Sequence, residues 1–303
     1  MIRDTPPVTI ALPFFNASAT LYAAIASILA QRWTDWELLL LDDGSTDGSL
    51  SLAAGVNDRR IRLYSDGTNR GLSYRLNQSA VLASGKYLAR MDADDLMHPD
   101  RLSRQLAYLE SHREVDVVGT SAYVLDRSGN LIGRRDGPVD IRPAAVLARG
   151  LFIHPTVMGR VNWFRRNRYD ERYVRAEDHD LWCRTCRWSC FAHLSEMLYF
   201  YRESGSEGLE KYVGSGRTDR LIYRQYGPAV VGLQKTRRLI AGSFAKVGIY
   251  RLLRAIQLDR WLITRRNTPL TNGEYKEGGR ILREIQATVL PADRRLVTVE
   301  SER

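Results

Sequence analysis

Three carboxylates stand within four residues, Asp92-Ala93-Asp94-Asp95. Held at one edge of a fold, they raise one another's pKa unless a cation neutralises them. No cysteine lies nearby, so the donor set is oxygen only. That suits a hard cation such as Mg²⁺ or Mn²⁺, the ions that hold substrate phosphates. A second acidic group, Asp42-Asp43-Gly44-Ser45-Thr46-Asp47, reads by itself as turn or helix-cap chemistry. A third, Glu177-Asp178, opens a helical stretch. A carboxylate there could serve as a general base. The helix N-terminus favours its charged form and weakens it as a base, while Glu177 beside it acts the other way. Both residues also fit as ordinary carboxylates of a first helical turn.

Cys183, Cys186 and Cys190 have part of a metal-motif spacing, but no fourth ligand or second pair accompanies them. They are expected along one buried face of a helix over 181–191. Neither a G-x-G-x-x-G turn nor a P-loop occurs. Dinucleotide oxidoreductases and P-loop ATPases therefore fit poorly. A metal-diphosphate site without those loops points to sugar nucleotides.

The elements that must position these groups alternate along the first 120 residues. Strands are expected at Val8–Leu12, Glu37–Leu41, Ile61–Tyr64, Lys86–Met91 and Val115–Gly119, with helices at 20–31, 47–54, 72–83 and from Pro99 to Ser111. Gly85 is expected to cap the third helix. Such alternation predicts an α/β chain with a mostly parallel sheet and helices on both faces. Ligands then bind beyond the carboxyl ends of the strands. Pro13-Phe14-Phe15-Asn16, the Asp42 group and the Asp92 group all follow strands, so all three are expected at one edge. Beyond residue 120 come a turn at Asp126–Asn130, a helix at Ile141–Arg149, a helix from Glu177 and a strand at Met197–Tyr201.

These pieces, taken in order, resemble a known family. Pro13-Phe14-Phe15-Asn16, Ser27-Ile28-Leu29-Ala30-Gln31, Asp42 to Asp47, Asn69-Arg70-Gly71-Leu72-Ser73, Asn77, Gly85-Lys86-Tyr87 and Arg90 to Asp95 look like the nucleotide-sugar half of a family 2 glycosyltransferase with the GT-A fold. His154-Pro155-Thr156 and Glu177 to Trp182 resemble its acceptor half, and Tyr201-Arg202 its closing strand. The resemblance spans roughly 8–202.

It implies roles for the matched positions. Asp43 would accept from a uracil imide, and Pro13, Phe15 and Asn16 would line the base pocket. Asp94 would be the main metal ligand, with Asp92 near the ribose or metal and Asp95 in support. Arg70 and Arg90 would face the diphosphate. Asp178 would be the general base of an inverting transfer, with Glu177, His154, Trp182 and Arg202 on the acceptor side or in support. The sequence departs from the family in two places. Ala17 and Ser18 replace an acidic residue, and Glu203 and Ser204 replace a histidine after the Tyr-Arg pair.

The chain has 303 residues, 44% of them hydrophobic and 26% charged, which excludes a disordered chain. A transferase domain is expected over 1–205, with a nucleotide-sugar half at 1–119 and an acceptor half at 120–205. A basic helical region follows over 206–303. The net charge is +10, and the stretch 217–266, with twelve basic and two acidic residues, carries as much by itself. Bulky apolar residues interleave these cations, the pattern of an interfacial helix at an anionic membrane or of a hairpin packed on the catalytic domain. Nucleic-acid binding would use the same arginines with Tyr223, Tyr226 and Tyr250, but no nucleic-acid module is visible and the acidic cluster opposes it. A catalytically inactive nucleotide-sugar binder is opposed by the intact Asp94 and Asp178. No apolar run reaches the ~20 residues of a membrane span, and no signal peptide is visible. The expectation is a cytoplasmic enzyme, peripheral at the inner membrane face. It would use a UDP-sugar and a glycan or lipid-linked acceptor.

Overall fold

A computed structural model of the chain describes residues 6–138, 140–203, 208–255 and 267–291. The first half follows the predicted alternation: β1 (Val8–Phe14), α1 (Leu21–Leu29), β2 (Trp36–Asp42), α2 (Ser49–Ala54), β3 (Ile61–Ser65), α3 (Leu72–Leu82) and β4 (Tyr87–Arg90). Every residue of β1, β2 and β4 is buried, which is why these strands read as unbroken apolar runs. Leu21, Ile25 and Ile28 of α1 are wholly buried in the same core. Losing one of them to alanine costs about 2–5 kcal/mol.

Next come β5 (Leu96–Met97), α4 (Arg101–Ser111), β6 (Val117–Leu125), β7 (Leu131–Arg135), α5 (Pro143–Arg149), β8 (Met158–Arg160), α6 (Val161–Arg166), α7 (Glu177–Thr185) and β9 (Phe191–Arg202). The sheet order is β3-β2-β1-β4-β8-β6-β9-β5, with β7 on the side of β6. Strands β3, β2, β1 and β4 are parallel. Beyond β4 the sheet is mixed: β8 is antiparallel to both β4 and β6, β6 runs parallel to β9, and β5 and β7 are antiparallel additions. The expectation of a mostly parallel sheet therefore holds for the first half only. Strand-helix alternation fixes direction through crossover helices, and the second half largely lacks them.

Three local expectations are corrected. The fifth strand does not end at Gly119 but continues through Leu125 to the turn at Asp126–Asn130. Gly85 is not a helix cap. It lies where α3's exit crosses β1, and a Cβ there would stand 2.7 Å from the Thr9 amide nitrogen. Helix α7 ends at Thr185, not near 191. Cys183 is buried in it, but Cys190 is exposed at the entry to β9, so the cysteines do not share one helix face.

Helix α8 (Gly208–Ala255) folds back on itself at Gly232, whose φ of 80° a helix cannot contain. Ser243 Oγ donates to the Gly216 carbonyl at 3.2 Å, which sets the two limbs side by side. Ile222 and Tyr223 pack the first limb into the core with Trp163 and Trp182. For residues 217–255 the basic stretch is thus a hairpin on the catalytic half, and 256–266 lie outside the described residues. Tyr223 and Tyr250 are buried and Tyr226 bonds Asp180, so the tyrosines proposed for base stacking serve packing. Helix α9 (Asn272–Gln286) buries Ile281, Leu282 and Ile285 against Tyr123 and Phe200. Among the described residues, no helix is long and apolar enough to cross a membrane.

Candidate functional site

The parallel strands β1, β2 and β4 bring the three expected groups to one edge. After β1, Asn16 adopts a left-handed φ of 48°. Its amide donates to Ser45 Oγ at 3.1 Å and its Oδ1 accepts from the Thr46 amide at 2.8 Å. Asn16 therefore stitches the β1 loop to the β2 loop. Phe15 beside it is 48% exposed, while Pro13 is buried within β1 opposite Leu41.

Asp42 and Asp43 organise the next loop. Asp42 accepts from the Ser45 amide at 3.0 Å and from Ser65 Oγ at 2.6 Å. Asp43 accepts from the amides of Arg70 and Gly71 at 2.9 and 3.0 Å and from Arg75 Nε at 2.9 Å. Two of these donors share Oδ1, which leaves Oδ2 with acceptor capacity. The Arg70 guanidinium reaches back to Asp66 at 2.8 Å and lies 5.0 Å from the Tyr74 ring centre.

Arg90 sits deeper. It is buried, and Nη2 donates to Asp92 Oδ1 at 2.6 Å. Its Nε and Nη1 have no hydrogen-bond partner among the described residues. Two orphaned donors on a buried cation call for an anionic ligand. Arg101 props the strand from beneath, donating to the carbonyls of Arg90 and Val157 at 2.8 and 3.1 Å.

Asp92, Asp94 and Asp95 each offer a carboxylate oxygen, all within 4.8 Å of one another. Asp95 is buried, with Oδ2 unpartnered among the described residues. Burial first, then Asp94 and Asp92, push its carboxyl well above the usual carboxylate range. A divalent cation would offset all three effects, so the residues fit the expected Mn²⁺ or Mg²⁺. Arg202 straps this loop: its amide donates to Asp95 Oδ1 at 2.6 Å and its Nε to the Asp94 carbonyl at 2.8 Å.

A cavity of about 450 Å³ joins this edge to the start of α7. Arg90, Asp92, His154, Glu177 and Asp178 all line it. Ala176 precedes the carboxylates in a left-handed conformation, φ 57° and ψ 31°, a strained state for a residue with a Cβ. Burial pushes the Asp178 carboxyl upward, and Glu177 adds to the rise. His154 lies against both carboxylates. Burial and then Arg90 hold it down at about 3. Its Nε2 meets the Tyr169 hydroxyl at 2.9 Å, and its Nδ1 is 3.5 Å from Glu177.

Residues 9–176 match the family model described as glycosyl transferase family 2. The chain is 40% identical over 210 residues to EpsE of Bacillus subtilis strain 168, named as a glycosyltransferase, covering 67% of this chain and 75% of that one. The chain belongs to glycosyltransferase family 2.

Solved structures agree on the architecture. TarS of S. aureus, in complex with UDP-GlcNAc, superposes with a TM-score of 0.57 at 16% identity, over 78% of this chain and 71% of that one. The mannosyltransferase PcManGT of Pyrobaculum calidifontis, in complex with GDP-Man and Mn²⁺, gives 0.57 at 14% identity, over 94% and 86%. The fold is GT-A.

Against that family frame, some expected residues act from behind. Trp182 is wholly buried, edge-on to His154 at 6.3 Å and stacked on Trp163 at 6.0 Å. It packs behind His154 and does not line the cavity. Tyr201 belongs to the Tyr-Arg motif, but Arg135 had no motif to announce it. Arg135 and Tyr201 line the cavity, with Arg135 4.8 Å from the Tyr201 ring centre. Glu203, where relatives often carry histidine, pairs with Arg135 at 3.0 Å. Behind Asp178, His179 gives Nδ1 to Asp219 of α8 at 3.0 Å and Nε2 to the Leu147 carbonyl at 3.0 Å. Both partners are acceptors, so the ring must carry two protons.

Proposed function

We propose that this family member is an inverting transferase. It moves a sugar from a UDP-sugar to a hydroxyl of a glycan or lipid-linked glycan, in bacterial polysaccharide or cell-envelope synthesis. One observation carries the reading. A single cavity is lined by Asp92, by Arg90 with its two unpartnered nitrogens, and by Asp178. That combination of groups suits a leaving diphosphate and an attacking hydroxyl at one sugar.

Asp178 takes the proton of the acceptor hydroxyl as that oxygen bonds to the anomeric carbon. The bond from that carbon to the diphosphate oxygen breaks, and the configuration inverts. A general base of this kind is worth about 10²–10⁴-fold. Arg90 donates Nε and Nη1 to phosphoryl oxygens. Asp94 and Asp92 would hold the cation with Asp95 in support. Bound there, Mn²⁺ or Mg²⁺ supplies positive charge to the departing diphosphate. Asp43 Oδ2 accepts from the base imide, with Phe15 and Asn16 beside it. Residues 1–205 carry this chemistry. The hairpin's exposed Leu233, Phe244, Ile249 and Leu252, set among its cations, address an anionic membrane from the cytoplasmic side.

The donor is tested by a thermal-shift panel of nucleotide sugars with and without Mn²⁺. Stabilisation by UDP-sugars that needs the cation is expected. Equal response to every nucleotide, or to none, overturns the donor assignment.

A further inference from the structure

A second groove, of about 890 Å³, opens between the loop 172–175 and the first limb of α8. Val174 and Arg175 line both this groove and the cavity of Asp178. An acceptor lying in the groove would therefore meet the base at its inner end.

The groove is strongly basic. Arg172, Arg175, Arg217 and Arg224 line it, and no acidic residue does. Arg172 is held by Asp170 at 2.6 Å. Among the described residues, none pairs with Arg175, Arg217 or Arg224. Arg217, Leu221 and Arg224 follow at i, i+4 and i+7, so they share one helix face. Val174 is 90% exposed and Leu221 48% exposed, which puts apolar surface among the cations. The neighbouring cavity carries Asp92, Glu177 and Asp178 as well as Arg90 and Arg135.

We propose that this groove binds a phosphate or diphosphate group carried by the acceptor, beside an aliphatic portion of the same molecule, and so presents the acceptor hydroxyl to Asp178. The proposal rests on the glycosyl-transfer reading above. Guanidinium forks match phosphate oxygens in pairs, and three of them without internal partners repel one another until an anion arrives.

The test titrates inorganic pyrophosphate into the full chain by calorimetry, at low salt and without divalent cations. Arg217 and Arg224 are exposed, so their substitution leaves the fold intact. The double variant Arg217→Gln with Arg224→Gln should bind pyrophosphate at least about tenfold more weakly, since it removes two charge-assisted contacts. Lysine at both positions should retain most of the affinity. Asp94→Ala should keep pyrophosphate binding while losing cation-dependent UDP binding, which separates the groove from the donor site. Equal pyrophosphate affinity in wild type and the glutamine variant overturns the proposal and leaves glycosyl transfer standing. Vesicles of phosphatidylglycerol distinguish the source of the phosphate. If the glutamine variant loses only vesicle binding, the arginines serve bilayer headgroups and the acceptor subsite is wrong.

Discussion

Arg202 donates its main-chain amide to Asp95 Oδ1 at 2.6 Å, across 107 residues of sequence. The last strand of the sheet thereby fixes the acidic loop that follows β4. The side chain continues the strap, with Nη1 reaching the Arg127 carbonyl at 3.0 Å and Nε the Asp94 carbonyl.

Arg202→Ala is expected to loosen the loop without removing any carboxylate. Outer-sphere losses of this kind typically weaken metal binding about 10–100-fold. Mn²⁺ titration in the presence of UDP would show it. Unchanged Mn²⁺ affinity would mean that the loop holds its shape alone.

Asp94→Ala should abolish cation-dependent UDP binding. Calorimetry with and without Mn²⁺ measures this directly, and retained binding would remove Asp94 as the principal ligand.

Asp178→Asn should keep UDP-sugar binding and lose about 10²–10⁴-fold in transfer rate. The amide is isosteric but cannot accept the proton. Near-normal turnover would exclude Asp178 as the base.

The pH profile follows from the same residue. Asp178 acts ionised, and burial raises its pKa above the ordinary 3.8. Activity should fall as pH drops through that raised value. Glu177→Gln removes a like charge, so the acid limb should move to lower pH. A limb that stays in place would show that Glu177 does not act on Asp178.

The tie between His179 and Asp219 predicts a pH-dependent stability. Burial opposes the imidazolium, but Asp219 and Cys183 together outweigh it, and the folded pKa stands well above 6.5. The stabilisation is fully present below the unfolded pKa and fades as pH rises through the folded one. Asp219→Asn should cost about 1.5–3 kcal/mol at pH 6 and less in alkaline buffer. Urea unfolding at both pH values checks this, and an equal loss at each would refute a charged pair.

Much of the site was legible before folding. Asp92-Ala93-Asp94-Asp95 declares itself by charge density, because three adjacent carboxylates are unfavourable without a cation. The edge that holds it was legible too, since β1, β2 and β4 are apolar runs joined by helices, which forces them parallel. Arg90 could be placed at the edge from its motif, but its two unpartnered nitrogens could not, because they depend on what packs around it. Tyr169 and Arg135 carried no signal, and His179, though inside the Glu177–Trp182 motif, did not reveal its partner, because the partners lie 15, 68 and 40 residues away.

The sequence by itself determined the family, and it named the acidic cluster and Asp178 as candidates, since these depend on residue type and short spacing. Only the tertiary structure decided the mixed second half of the sheet, because strand direction there is set by long-range pairing without crossover helices. It also decided the packing of the basic stretch. Charge and apolar content were equally compatible with a membrane helix and a packed hairpin. The reversal at Gly232 and the burial of Ile222 and Tyr223 gave residues 217–255 their place beside Asp178.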